Sequence, residues 1–153
     1  MWLAGRPDLT HKPVILETRG LSKKFIVKSG FFGRAARKLH AVSEVDLEVR
    51  KGETLGIVGE SGCGKSTLGR LLVGLLKPSA GEVRVKGQDI SALSEGRLRP
   101  LRLNFQMVFQ DPYASLNPKI KAGDILAEPL LNFDRAWGGV LDKRINQLLD
   151  RVG

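Results

Sequence analysis

The segment Gly59–Thr67, with the sequence GESGCGKST, constrains this chain more than any other part of it. It matches the pattern G-x-x-x-x-G-K-[ST] at every fixed position and lies between an apolar run, Thr54–Val58, and an amphipathic stretch, Lys65–Lys77. A phosphate chain needs several backbone N–H groups that converge on one point, and glycines allow the backbone conformations that present them. Since a helix N-terminus also favours anions, the segment predicts a phosphate-binding loop.

Each position of the loop has an expected role in nucleotide binding. Lys65 is a mobile point charge that can reach the terminal phosphates. The Ser66 hydroxyl can bind Mg²⁺, a hard cation that prefers oxygen ligands. We interpret Cys63, at a variable position, as a small filler rather than as a reactive thiol. The predicted ATP-binding residues of the loop are Gly59, Glu60, Ser61, Gly62, Cys63, Gly64, Lys65, Ser66 and Thr67.

Apolar patterning predicts an α/β fold around this loop. Alternation of apolar and polar residues predicts surface strands, and continuous apolar runs predict strands covered on both faces. The predicted strands are Val14–Thr18, Lys23–Val27, Val45–Val49, Thr54–Val58, Glu82–Lys86 and Phe105–Phe109. The predicted helices are Lys65–Lys77, Ala122–Leu131 and Leu141–Val152, with a short helix or loop at Ser94–Arg102. Residues 1–13 are expected to be loose, and Lys28–Lys38 to form an inserted basic loop.

Composition limits the cell compartments and the classes of protein that are compatible with this chain. The 153 residues suit one domain, and 42 % of them are apolar, too many for a disordered tail. No apolar run approaches the roughly 20 residues that span a bilayer, and residues 1–16 do not resemble a signal peptide. The lone Cys63 excludes an internal disulfide, and no Cys/His cluster has zinc spacing. We therefore expect a protein that stays on the cytoplasmic side of the membrane.

The net charge of +9 raises the question of a polyanionic partner. The Lys and Arg residues are spread along the chain, and no aromatic side chains are interleaved with them as a stacking surface for bases would require. Solvated basic faces are therefore the favoured interpretation, and no nucleic-acid partner is predicted.

A second segment connects the loop to a known family. Val108–Pro118, VFQDPYASLNP, resembles the subfamily of ABC transporters that imports dipeptides and oligopeptides, and so do the Lys28–Lys38 insertion and Ala127–Leu130. From about Ile15 to Val152, the order of elements resembles the ATP-binding subunit of these transporters. The resemblance implies a P-loop NTPase of the ABC ATPase type, incomplete here, with a RecA-like core and an antiparallel β subdomain. The nucleotide-binding domain would occupy residues 14–153.

The resemblance also assigns roles outside the phosphate loop. Gln110 would be the glutamine of the Q-loop, which contacts Mg²⁺ and the attacking water, so that Ser66 and Gln110 are the predicted metal-binding residues. Phe25 lies where the family places an aromatic ring that stacks on adenine, usually a Tyr. Residues from about 120 to 153 would begin the helical subdomain. Judged from the residues alone, the favoured interpretation of Phe25 is a core residue and that of Gln110 an exposed strand end.

The family implies ATP and Mg²⁺ as cofactors and a defined set of partners. Two ATP-binding subunits, identical or related, would sandwich two ATP molecules and drive membrane-spanning permease subunits. A periplasmic or extracellular solute-binding protein would act indirectly. The subunit would be peripheral at the cytoplasmic face of the inner membrane. Peptides are the expected cargo, followed by nickel or another small solute.

The sequence also departs from the family pattern. It contains no L-S-G-G-Q signature, no apolar strand that ends in Asp-Glu, and no histidine after the phosphate loop, since His11 and His40 both precede it. We hypothesise a truncated product or an incomplete record. The alternative is a genuine short product that acts as a non-hydrolysing nucleotide-binding or regulatory module. A kinase is disfavoured because no acceptor site or lid is identifiable.

For the 153-residue chain alone we expect weak ATP binding and almost no turnover. No catalytic residue is identifiable in it, because a carboxylate that would polarise the attacking water is not found. The measurement is phosphate release by the purified chain and by its Lys65→Ala variant. Steady hydrolysis that Lys65→Ala abolishes would contradict the expectation.

Overall fold

The computed structural model of the chain describes residues 10–27, 37–111, 116–134 and 137–152. They belong to two compact units that divide between Arg99 and Pro100. Most of the segment predicted to be loose, residues 1–13, and of the predicted basic loop Lys28–Lys38 lies outside the described residues. Arg37 and Lys38, which we placed in that loop, instead begin a strand.

The first unit is built on a four-stranded antiparallel sheet in the order β2-β1-β3-β4. This arrangement confirms the antiparallel subdomain that the family resemblance implied. The predicted strands Val14–Thr18 and Lys23–Val27 are parts of one long strand, and the predicted Val45–Val49 is the end of another. The strands are β1 (Val14–Val27), β2 (Arg37–Arg50), β3 (Ala80–Val85) and β4 (Gln88–Asp89).

The pairing of β1 with β2 is irregular, and polar side chains compensate for the irregularity. The register shifts between Thr18 and Leu21 and again before Lys23. Thr18, which is buried, donates from Oγ1 to the Val45 carbonyl at 2.9 Å and accepts from the Leu47 N–H at 3.1 Å. Because an unpaired buried backbone group costs free energy, these side-chain bonds allow the strand to bend without that cost.

Helix α1 (Lys65–Leu72) packs one face into the core of the first unit. Its residues Leu68 and Leu71 are buried, as the helical spacing predicts, and they join apolar residues of the strands and of the chain after β4. The buried apolar residues of this unit are Leu21, Val42, Leu68, Leu71, Val83, Ile90 and Leu98. A short helix α2 (Glu95–Leu98) ends the unit and lies within the predicted segment Ser94–Arg102. A 3₁₀ helix, Arg99–Asn104, follows it and extends two residues beyond that segment.

Helix α1 is shorter than the predicted Lys65–Lys77, and Gly74 accounts for the difference. Gly74 has a φ of +63°, a left-handed conformation that commonly follows the last turn of a helix. The N–H groups of Leu75 and Leu76 both turn back to the Arg70 carbonyl, at 2.8 and 3.1 Å. The prediction relied on Pro78 and Gly81 as stops and overlooked the earlier glycine.

Two predicted strands, Thr54–Val58 and Phe105–Phe109, are wrong for this structure, in which neither segment has regular secondary structure. An apolar run becomes a central strand only where other strands pair with its backbone. Among the described residues, the paired strands are the antiparallel set β1–β4, which includes neither segment. Val58 and Val108 are accordingly exposed, at 97 % and 90 % of their surface.

The second unit contains two α-helices among its described residues. Helix α3 (Ala122–Pro129) continues into a π-helical turn, Leu130–Asp134, and α4 (Gly139–Asp150) completes the unit. Both helices agree with the predicted segments. Ala127 and Leu130 are its buried apolar residues. No helix in the described ranges combines the length and apolar character needed to cross a bilayer.

Replacing Thr18 by Val should test the role of its hydroxyl in the bent sheet. The substitution keeps the shape but leaves the Val45 carbonyl and the Leu47 N–H unpaired, so we expect a loss of about 2–4 kcal/mol in the free energy of unfolding. Thr54→Val, at an exposed position, is the matched control and should change stability by less than about 0.5 kcal/mol. Urea denaturation measures both; equal effects of the two substitutions would contradict the argument.

Candidate functional site

The loop Gly59–Gly64 closes around the ammonium group of Lys65. Lys65 Nζ donates to the Gly59 carbonyl at 2.7 Å and to the Glu60 carbonyl at 2.6 Å, and it lies 3.6 Å from Cys63 Sγ. The lysine that begins α1 therefore reaches back to the first residues of the loop. This conformation places a positive charge inside the ring of backbone that the sequence predicts to hold phosphate.

Two glycines of the loop have backbone conformations that favour glycine. Gly62 has a φ of +82° and Gly64 a φ of +101°. At Gly64, a Cβ would also collide with the Ala41 carbonyl of β2. The absence of a side chain at Gly64 thus allows the start of α1 to lie directly against β2.

A third glycine of the loop, Gly59, leaves room for Cys63. A Cβ on Gly59 would lie 2.7 Å from Cys63 Sγ, closer than real contacts of this kind. The thiol is exposed. Its close packing against Gly59 supports the interpretation of Cys63 as a small filler that lets the loop close.

The N-terminus of α1 presents backbone donors beside the Lys65 ammonium. The Leu68 N–H makes the first helical bond, to the Gly64 carbonyl at 2.8 Å. The three preceding N–H groups, those of Lys65, Ser66 and Thr67, have no helical carbonyl to reach. The first turn contains no acidic side chain, so the field at this end favours an anion. Ser66 is exposed, so its hydroxyl is available to a ligand.

An open groove of about 400 Å³ runs from the phosphate loop along β2. Its β2 side was not predicted from the sequence, because Ala41 and Gly64 are far apart along the chain and no motif links them. The residues that line this groove are His40, Ala41, Val42, Ser43, Val45, Ile57, Val58, Cys63, Gly64, Lys65 and Leu68.

Phe25, the predicted adenine-stacking residue, lies near the end of β1. It pairs in register with Leu39, one position beyond the pair formed by Lys24 and His40. His40 is among the residues that line the groove, whereas Phe25 is not. The ring is half-buried, and the ammonium of Lys23 lies 5.3 Å from its centroid.

Gln110 lies in the second unit, in a segment without regular structure, and is exposed. Its predicted roles at Mg²⁺ and at the attacking water stay predictions. Within the described ranges, no three His, Cys, Asp or Glu side chains lie together as a metal site.

One residue of the sheet, Arg84, has a shifted pKa. The hydrogen bond that Arg84 donates to Glu82, together with the charge of that carboxylate, raises the pKa of Arg84 above its usual value. Arg84 Nε donates to Glu82 at 3.1 Å, and Arg19 donates to Glu17 at 2.7 Å. These ion pairs on β1 and β3 neutralise part of the surface charge and lie outside the groove lining.

Comparison with known proteins identifies relatives across almost the whole chain. The profile of the ABC transporter family matches residues 42–153. The oligopeptide transport ATP-binding protein AppF of Bacillus subtilis is 48 % identical over 144 residues, which are 94 % of this chain and 44 % of that protein. The glutathione import ATP-binding protein GsiA of Salmonella paratyphi A is 47 % identical over 139 residues, or 91 % of this chain and 22 % of that protein.

Solved structures agree with the sequence relatives. The ATP-binding cassette MJ0796, in a dimeric post-hydrolysis state bound to ADP and Pi, has a TM-score of 0.70 and 26 % identity. The match covers 89 % of this chain and 55 % of that one. The chain thus spans less than half the length of these two curated relatives and about half of the solved cassette. The α/β P-loop fold expected from the sequence is confirmed.

Replacing Gly64 by Ala should disrupt the loop. The new Cβ would collide with the Ala41 carbonyl, and alanine adopts the φ of this position only with strain. We therefore expect the free energy of unfolding to fall by about 1–3 kcal/mol or more. Gly56→Ala is the control, because nothing lies within 4 Å of a Cβ there. Thermal unfolding measures both. A Gly64→Ala protein as stable as Gly56→Ala would show that the close approach to β2 does not exist.

Proposed function

The chain belongs to the ABC transporter family, and we propose that it is part of an ATP-binding subunit that couples ATP hydrolysis to the import of peptides. One observation carries this proposal: the Lys65 ammonium lies inside the loop that begins α1, against the Gly59 and Glu60 carbonyls. A positive side chain, left-handed glycines and a helix N-terminus at one point form a site for the phosphates of a nucleotide.

The residues of the site include the donors that the phosphates of ATP require. The Lys65, Ser66 and Thr67 N–H groups would bind phosphate oxygens, and the Lys65 ammonium would leave the loop carbonyls for the terminal phosphates. The groove along β2 provides space beside the loop for the rest of the nucleotide. Phe25, which pairs with Leu39 of β2, would stack on adenine; its ring has the face that stacking requires.

Mg²⁺ belongs to the same proposal. The exposed Ser66 hydroxyl at the first turn of α1 is an oxygen ligand of the kind that this cation prefers. The role of Gln110 at Mg²⁺ rests on the family resemblance alone. Bound Mg²⁺ would neutralise charge on the phosphates. The loop residues from Gly59 to Cys63 would contact the phosphates through their backbone rather than through their side chains.

Two observations support peptide as the cargo. AppF carries the name of an oligopeptide transporter and GsiA that of a glutathione importer, and glutathione is itself a short peptide. The segment Val108–Pro118 resembles the same subfamily. We propose that residues 14–153 form the N-terminal part of the nucleotide-binding domain and that about 120–153 begin its helical subdomain.

The partners follow from the same assignment. The subunit would pair with a second ATP-binding subunit, as in the dimeric solved cassette, and would act on membrane-spanning permease subunits. A solute-binding protein outside the membrane would deliver the peptide. The subunit would be associated with the membrane at its cytoplasmic face.

Replacing Lys65 by Met tests the phosphate site. The substitution keeps the apolar stem but removes the charge, so we expect the affinity for Mg-ATP to fall roughly 10- to 100-fold. Lys51→Met removes the same charge at an exposed turn and should leave the affinity unchanged. Isothermal titration calorimetry on the 153-residue chain measures both variants. Equal affinities for wild type and Lys65→Met would refute the proposed site.

A further inference from the structure

The ring of Phe25 has a charged neighbour whose position is fixed by the backbone. Lys23 Nζ lies 5.3 Å from the ring centroid and donates a hydrogen bond of 2.6 Å to the Lys77 carbonyl. Both Lys23 and Phe25 are half-buried. The ammonium is therefore anchored to the chain that follows α1 while it contacts the ring on β1.

This arrangement has two physical consequences for the ring. An ammonium within about 6 Å of an aromatic centroid is attracted by the electrons of the ring face, which restrains the orientation of the ring. The bond to the Lys77 carbonyl restrains the long lysine side chain beside the ring. One face of Phe25 is consequently occupied by Lys23, and a flat ligand can stack only on the opposite face.

We propose that Lys23 is a positioning residue for base binding: it holds the Phe25 ring so that the purine of the nucleotide stacks on the face away from the ammonium. The inference rests on the proposed function, because it requires Phe25 to contact the base. It goes beyond that function in assigning a role to Lys23 and in fixing which ring face is used. The Lys77 carbonyl completes the assignment as the anchor of the ammonium.

The positive charge of Lys23 also changes the electron density of the Phe25 ring on which the base would stack. A cation on one face draws electron density from the ring, and a purine on the other face then meets a less electron-rich surface. Lys23 would not touch the base, so its influence passes through Phe25. The contribution should therefore appear in the affinity for nucleotides with a base and not in the affinity for phosphate alone.

The experiment compares two ligands on the same 153-residue chain, Mg-ATP and Mg-tripolyphosphate, by isothermal titration calorimetry. For Lys23→Leu, which lacks both the charge and the donor, we expect about three- to tenfold weaker ATP binding. Binding of tripolyphosphate should stay unchanged, since Lys65 and the loop are untouched. Lys23→Arg, which retains a cation able to lie over the ring, should bind ATP like the wild type.

Lys24→Leu is the matched control. Lys24 is the next residue of β1, its side chain is exposed, and its backbone N–H and carbonyl bond to the Ser79 hydroxyl. The Lys24→Leu substitution should leave the affinities for Mg-ATP and for Mg-tripolyphosphate unchanged. A structural defect in Lys23→Leu would weaken both ligands together and lower the melting temperature, which would overturn the inference.

Phe25→Ala separates failure of this inference from failure of the proposed function. If Phe25→Ala weakens ATP selectively and Lys23→Leu does not, the positioning role of Lys23 is wrong while the adenine contact stands. If Phe25→Ala binds ATP like the wild type, or if the wild type binds neither ligand, the proposed contact fails and the inference fails with it. Tighter ATP binding by Lys23→Leu would show that the ammonium occupies the face used by the base, which also overturns it.

Discussion

The close approach of Gly64 to the Ala41 carbonyl is the constraint on which the site depends. It brings the start of α1 against β2, where any side chain at position 64 would collide. The sheet and the phosphate loop thereby become one unit, and the groove beside the loop acquires a wall from His40 to Val45. The motif glycine therefore has a second purpose: besides its left-handed φ, it sets the distance between the phosphate end and the sheet that carries Phe25.

The sequence predicted the parts of this structure that depend on local patterns. The loop pattern located Gly59–Thr67 between an apolar run and a helix, and the spacing of Leu68 and Leu71 gave the buried face of α1. Alternation gave the positions of the surface strands. In each case the physical signal, a glycine conformation or a periodic apolar face, is contained within a few neighbouring residues.

What the sequence could not predict depends on residues far apart along the chain. The run Thr54–Val58 looks like a buried strand, yet a strand exists only through its partners, and the described strands β1–β4 do not pair with it. The continuity of β1 depends on the hydroxyl of Thr18 bonding to β2, some 27 residues away. The β2 wall of the groove is a third example, because the contact of Ala41 with Gly64 follows from packing rather than from either local sequence.

The same distinction separates the two halves of the proposed nucleotide site. The phosphate half is built from consecutive residues, so backbone geometry alone arranges its donors, and Lys65 begins in contact with the carbonyls of Gly59 and Glu60. The proposed base half involves β1 and the chain after α1, which meet through the bond from Lys23 to the Lys77 carbonyl. A motif therefore suffices to locate the phosphates, whereas the orientation of the ring of Phe25 depends on tertiary contacts. Variation in those contacts would change the affinity for the base while the conformation of the phosphate loop stayed the same.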